Sequence, residues 1–100
     1  MKIALTNNTP IKSVGAGTII FSDWTPSSGY VVIVRHKDDI LSVYKNAASV
    51  TKSQGNIVKS GEVIALAGNA NNVQNSGATL HFELWKDGFP IDPTQFINFN

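Results

Sequence analysis

One hundred residues with 42% apolar and 15% charged content describe a globular chain with one modest core, and they exclude fibrous and disordered classes. The formal net charge is +1, and lysines and arginines are scattered from Lys2 to Lys86, so no basic row exists to neutralise a run of phosphates and nucleic acid is not an expected partner. Cysteine is absent, which removes disulfides, thiolate metal sites and a cysteine nucleophile.

In chain order, β-branched and aromatic runs alternate with clusters of Gly, Pro, Asn, Asp and Ser, while helical periodicity is almost absent. The pattern predicts an all-β fold with strands over residues 10–13, 17–23, 30–36, 40–45, 63–68 and 79–85, and shorter pieces near 3–5 and 89–91. Turns are expected at Ser27-Ser28-Gly29, Lys37-Asp38-Asp39, Lys59-Ser60-Gly61 and Lys86-Asp87-Gly88. Residues 46–59 and 69–78 are polar and rich in Asn, Ser and Gly, and read as surface loops. Pro93-Thr94-Gln95-Phe96 could close one short helical turn, because proline suits a first helical position. Apolar runs such as Val31-Val32-Ile33-Val34 are far too short to cross a bilayer, so this domain is not expected to insert into a membrane. No signal peptide is visible after Met1, since Lys2-Ile3-Ala4-Leu5 gives way to polar Thr6-Asn7-Asn8.

The segment richest in chemistry is Ala78-Thr79-Leu80-His81-Phe82-Glu83-Leu84-Trp85. In a strand, Leu80, Phe82 and Leu84 point to one face, while Thr79, His81, Glu83 and Trp85 point to the other. The first set is core. The second sets an imidazole beside a carboxylate, either in a functional groove or on a half-exposed sheet with a hydrogen-bonded histidine. By the same period, Ser42, Tyr44 and Asn46 share a face and would look toward Thr79, His81 and Glu83 if the two strands flank one groove. Tyr44 and Trp85 are then either stacking surfaces or caps on the core. Trp24, before a Ser/Gly turn, is a further candidate for a surface contact. No Gly-x-Ser-x-Gly elbow exists, and Asp38-Asp39 falls in a turn where solvation accounts for it.

Four stretches together resemble the LytM/lysostaphin-like zinc endopeptidases. Thr79-Leu80-His81-Phe82-Glu83, followed by Gly88 and Asp92-Pro93, is similar to that family's His-x-His-Phe-Glu strand and its sequel. Gly61-Glu62-Val63-Ile64-Ala65-Leu66-Ala67-Gly68 is similar to a turn and strand upstream. Ser42-Val43-Tyr44-Lys45-Asn46 matches the Tyr-x-His strand, and Thr9-Pro10-Ile11 with Gly17-Thr18-Ile19-Ile20 matches the first hairpin. The resemblance implies a barrel-sandwich hybrid of short antiparallel strands. It also implies a zinc held by a His and an Asp from an N-terminal segment and by the second His of His-x-His, with two further histidines acting on the scissile bond.

Carried over by position, His81 keeps the third ligand site. The ligand Asp falls at or near Lys2, and the ligand His would precede Met1, so residues 1–100 read as one domain lacking the N-terminal metal-ligand segment. Asn46 stands where the Tyr-x-His histidine belongs, and Thr79 where the first His of His-x-His belongs. A catalytic zinc requires three protein ligands and an open position, and neither an amide nor a hydroxyl titrates near neutral pH. His36, on a strand end, reads as structural or solvent-facing. The resemblance, so depleted, implies a non-catalytic module of the bacterial envelope outside the cytoplasm. Its groove of Tyr44, Asn46, Thr79, His81, Glu83 and Trp85 would bind peptidoglycan or a cell-wall amidase or other hydrolase, without a cofactor. Zinc enters only under the alternative of an endopeptidase whose ligand-bearing segment lies outside this chain. A third reading, a biotinyl- or lipoyl-type carrier suggested by Val58-Lys59-Ser60-Gly61-Glu62-Val63-Ile64, lacks the lysine context those carriers present.

Overall fold

The computed structural model describes residues 2–5, 9–67 and 78–92, with side chains placed for 9–67 and 80–92. Its strands are β1 Lys2–Leu5, β2 Pro10–Lys12, β3 Gly17–Thr25, β4 Gly29–Arg35, β5 Ile40–Ala47, β6 Ser49–Val50, β7 Ile57–Val58, β8 Val63–Leu66, β9 Ala78–Lys86 and β10 Phe89–Ile91. Every strand read from the sequence is present, with ends shifted by at most two residues. β6 and β7 were not expected; both lie within residues 46–59, and two residues are too few for alternation to register. The turn at Lys37–Asp39 closes as a single 3-10 turn, with Asp38 and Asp39 at φ 63 and 57, a left-handed conformation that aspartate tolerates better than most residues. The helical turn expected over residues 93–96 lies outside the described residues.

Seven strands form one antiparallel sheet in the order β1-β9-β5-β4-β3-β7, with β10 also on β9, and a smaller sheet runs β2-β8-β6. Hairpin chemistry fixes the registers. Between β3 and β4, the Thr25 hydroxyl donates to the carbonyl of Gly29 and accepts from the Ser28 N–H, while Gly29 supplies φ +66. At the other end of that pair Gly17 is obligatory, because a Cβ there would run into the carbonyl of Arg35.

Directly opposed residues in an antiparallel sheet share a face, so the registers sort the large sheet into two surfaces. The inner one carries Ile19, Val34, Ser42 and Leu84 in one row and Val32, Tyr44 and Phe82 in the next. It packs with Ile11, Ile64 and Ala65 of the small sheet into a single cluster in which Val32, Val34, Ile64 and Ala65 are fully buried. Tyr44 and Phe82 meet there with ring centroids 5.3 Å apart and planes tilted by 52°, a favoured aromatic geometry. The polar atoms of this interior are paired. The Val14 N–H donates to the Tyr44 hydroxyl at 3.0 Å, and the buried Ser13 hydroxyl donates to the Gly15 carbonyl at 2.7 Å. Among the described residues no buried side-chain nitrogen or oxygen lacks a partner.

Candidate functional site

The outer face of the same sheet is a different surface. Reading across β9, β5, β4 and β3, one row is Trp85, Leu41, Arg35 and Thr18, and the next is Glu83, Val43, Ile33 and Phe21. Beyond them Lys45 faces His81, and Asp23 faces Val31. Val31 and Val43 are each only 6% exposed, yet neither belongs to the core cluster, and Phe21, Ile33, Leu41 and Trp85 are half-buried without packing against that cluster. The sheet is therefore apolar on both sides. Its outer floor is aliphatic and aromatic in the middle and charged along its margins.

The β5–β9 margin is organised by one carboxylate. Glu83 Oε2 accepts from Lys45 Nζ at 3.0 Å and lies 3.2 Å from His81 Nε2, while its Oε1 accepts from Trp85 Nε1 at 3.0 Å. Strand alternation makes this possible, because His81, Glu83 and Trp85 follow one another along one face of β9 and Lys45 is the cross-strand neighbour of His81. Partial burial acts to raise the Glu83 pKa, but the hydrogen bonds from Trp85 and Lys45 and the charges of Lys45 and His81 outweigh it, and the carboxyl is held below its ordinary value of 4.5. Side-chain exposures of 33% for Lys45, 24% for Glu83 and 40% for His81 leave the cluster open to solvent on one side.

The sequence-derived groove set divides accordingly. His81, Glu83 and Trp85 come together as one cluster, and Trp85 lies on the outer face rather than capping the core. Tyr44 does not join them. It is 1% exposed, stacked on Phe82 and tied to the β2–β3 connection through Val14. The correction follows from register: Tyr44 opposes Phe82 and Ser42 opposes Leu84, so the alternation on β5 is out of phase with the groove expected from it. Burial pushes the Tyr44 hydroxyl pKa up, against hydrogen bonds with Ser42, Val14 and Ser13 that act to lower it. Asn46 cannot be assigned to a face by period two, because its φ of 71 breaks the alternation. Its N–H donates to the Ser28 carbonyl, and it sits against Gly29 at the β3–β4 turn. The backbone of Thr79 pairs with Ala4 in β9, but its side chain lies outside those described.

His36 is structural. Its Nδ1 is 2.7 Å from the Ala16 carbonyl, which can only accept, so Nδ1 carries a proton, and its Nε2 shares a hydrogen bond with the Ser42 hydroxyl, also at 2.7 Å. Trp24 is exposed at the end of β3, and its backbone N–H donates to the Asp23 carboxylate. Lys45, Arg35, Leu41, Val43, Ile33 and Phe21 were absent from the expected site. The complementary charges of Lys45 and Glu83 were the one sequence signal that could have set the correct phase.

The described residues do not fit a zinc ion. No three of their His, Asp or Glu side chains converge, and the imidazole of His81 is already engaged by a carboxylate that also carries an ammonium. Lysine, a pure donor when charged, stands at the register position directly opposite His81, where Lys2 of β1 pairs. The order of strands around this cluster is nonetheless specific, and the family model for peptidase family M23 matches residues 1–93. The chain belongs to peptidase family M23. Within it, the chain is 36% identical over 83 residues to stage II sporulation protein Q of Bacillus subtilis, covering 83% of this chain and 29% of that protein. It is 30% identical to the murein hydrolase activator EnvC of Escherichia coli, over 97% of this chain and 23% of the relative. A zinc-containing peptidase from Vibrio cholerae superposes with a TM-score of 0.80 at 27% identity, covering 91% of this chain and 28% of that one. The chain thus spans about a quarter of the length of the curated relatives it matches. M23 relatives are named both as peptidases and as an activator of murein hydrolases. Among the described residues, no helix is long and apolar enough to cross a membrane.

Proposed function

We propose that this chain is a non-catalytic M23 module of the bacterial cell envelope, working outside the cytoplasm, that binds and activates a peptidoglycan hydrolase, or binds peptidoglycan itself, through the outer face of its large sheet. One observation supports this above all: the imidazole at the family's retained ligand position is held by Glu83, and Lys45 supplies that carboxylate with its countercharge. A carboxylate so satisfied has little reason to release His81 to a dication, and a neighbouring ammonium repels one. Asn46 and Thr79 offer no group that exchanges a proton near neutral pH. What remains is contact chemistry on an apolar floor with a polar margin, the composition of a recognition surface. The name of the EnvC relative points the same way.

The test is retention on two supports: immobilised envelope amidases, and insoluble purified peptidoglycan. Retention on at least one, abolished by Val43→Asp with the fold intact by circular dichroism, is expected. Release of peptide fragments from peptidoglycan by the chain, or retention on neither support, would overturn the proposal.

A further inference from the structure

Trp24 belongs neither to the core cluster nor to the outer face. In the β3–β4 register it opposes Tyr30, and Tyr30 opposes Ala47 of the core cluster, so both rings stand on the inner side of the large sheet, at its hairpin end. Glu83 and Val43 lie on the reverse side. Tyr30 is half-buried and packs against the cluster, whereas Trp24 is 57% exposed, an indole held out by a strand and not by a loop. Its backbone is fixed from both sides: its N–H donates to the Asp23 carboxylate, and the Thr25 hydroxyl closes the turn that follows. Cross-strand neighbours have Cβ atoms about 5 Å apart, yet among the described residues these two rings make no aromatic contact with each other or with a third ring. Side by side and unstacked, they form an aromatic platform.

Hydrogen-bonding capacity at this platform is one-sided. Among the described residues neither Trp24 Nε1 nor the Tyr30 hydroxyl makes a hydrogen bond, so an N–H and an O–H are left to donate. The polar groups around them are engaged. Asp23 lies on the outer face and takes the Trp24 backbone N–H, Ser22 donates its hydroxyl to the Lys52 carbonyl, and the Lys52 ammonium is paired with Glu62. We infer that Trp24 and Tyr30 dock a proline-rich segment of a partner protein in the polyproline II conformation. Proline has no N–H to satisfy, and the carbonyls of that helix, unpaired within it, are pure acceptors for the two donors. Its pyrrolidine rings give an apolar surface to the indole, and its backbone is already extended, so little conformational freedom is lost on docking. A charged segment would meet neighbouring charges that are already paired, and a sugar ring, whose hydroxyls also need acceptors, would find only the Tyr30 hydroxyl. This is a second surface, independent of the reading of the outer face, so either can fail without the other.

The probe is a synthetic oligoproline of about ten residues, long enough for three turns of that helix, titrated into the intact nitrogen-15-labelled chain. The two tryptophans give one indole N–H signal each. The Trp24 signal should shift saturably, while that of Trp85, bonded to Glu83 on the other face, stays in place. A Gly-Ser peptide of equal length should move neither. Trp24→Phe keeps a ring and loses the donor, and Tyr30→Phe loses only the hydroxyl. Followed by the backbone amides of β3 and β4, each should weaken binding roughly three- to tenfold, the loss expected for one hydrogen bond, and Trp24→Ala should abolish it. All three variants should melt within a few degrees of the parent, because Trp24 is exposed and Tyr30→Phe keeps the ring that packs on the core. No saturable shift at millimolar peptide, a shift centred on Trp85, or affinity unchanged in both Trp24→Phe and Tyr30→Phe would overturn the inference. So would a chitooligosaccharide that moves the Trp24 signal where oligoproline does not, which would make the platform a glycan site.

Discussion

The two faces of the large sheet are built from the same strands and comparably apolar residues, yet one is closed and the other open. On the inner face every buried side-chain polar atom of the described residues has a partner, and Val32, Val34, Tyr44 and Phe82 are buried in one cluster with Ile11, Ile64 and Ala65 of the small sheet. On the outer face Val31 and Val43 are buried without joining that cluster, and the margin holds its charges at the surface. The difference teaches that burial alone does not identify a core. Val43 and Leu84 are both buried residues of paired strands, but only Leu84 belongs to the cluster joining the two sheets.

The comparison predicts unequal costs. Phe82→Ala should destabilise the fold by about 3–5 kcal/mol in urea unfolding, because it removes a fully buried ring and its contact with Tyr44. Ile33→Ser, a similar deletion on the open face, should cost clearly less, and equal costs would show that the outer face is a second core. Next in size is Ser42→Ala. It removes a fully buried hydroxyl that serves both the half-buried His36 Nε2 and the Tyr44 hydroxyl, and should cost about 1–3 kcal/mol in the same assay, as expected for orphaned polar groups. Restoration of full stability by a second change at His36 would place the cost in the His36 bond rather than in the one to Tyr44.

The smallest effect is electrostatic. Because the Glu83 carboxyl titrates below its ordinary value of 4.5 in the fold, its ionisation stabilises the folded chain above that value, and the contribution is lost as pH falls through the lower folded-state value. Thermal melts of Glu83→Gln against the parent should differ by about 1 kcal/mol or less at pH 7, since the group is partly exposed, and should converge in acid. A gap that widens toward low pH would reverse the assignment.

Most of the fold was legible in the sequence because it is written in local signals. Alternating β-branched runs gave the long strands, and Gly, Asp and Ser clusters gave their turns. The strands β6 and β7 carry two residues each and owe their existence to partners rather than to their own pattern. The site was legible along β9, where a single strand's alternation sets His81, Glu83 and Trp85 on one face. It was not legible across β5. Both Ser42-Tyr44 and Leu41-Val43-Lys45 are plausible on either face, and only the pairing of Tyr44 with Phe82 decides between them.

The claim on which the rest depends is that His81 serves a protein ion-pair cluster and not a metal. Isothermal titration of the chelator-treated chain with zinc at neutral pH tests it most directly. The expected result is no stoichiometric binding at micromolar affinity or tighter; one equivalent of tightly held zinc, lost in His81→Ala, would contradict it.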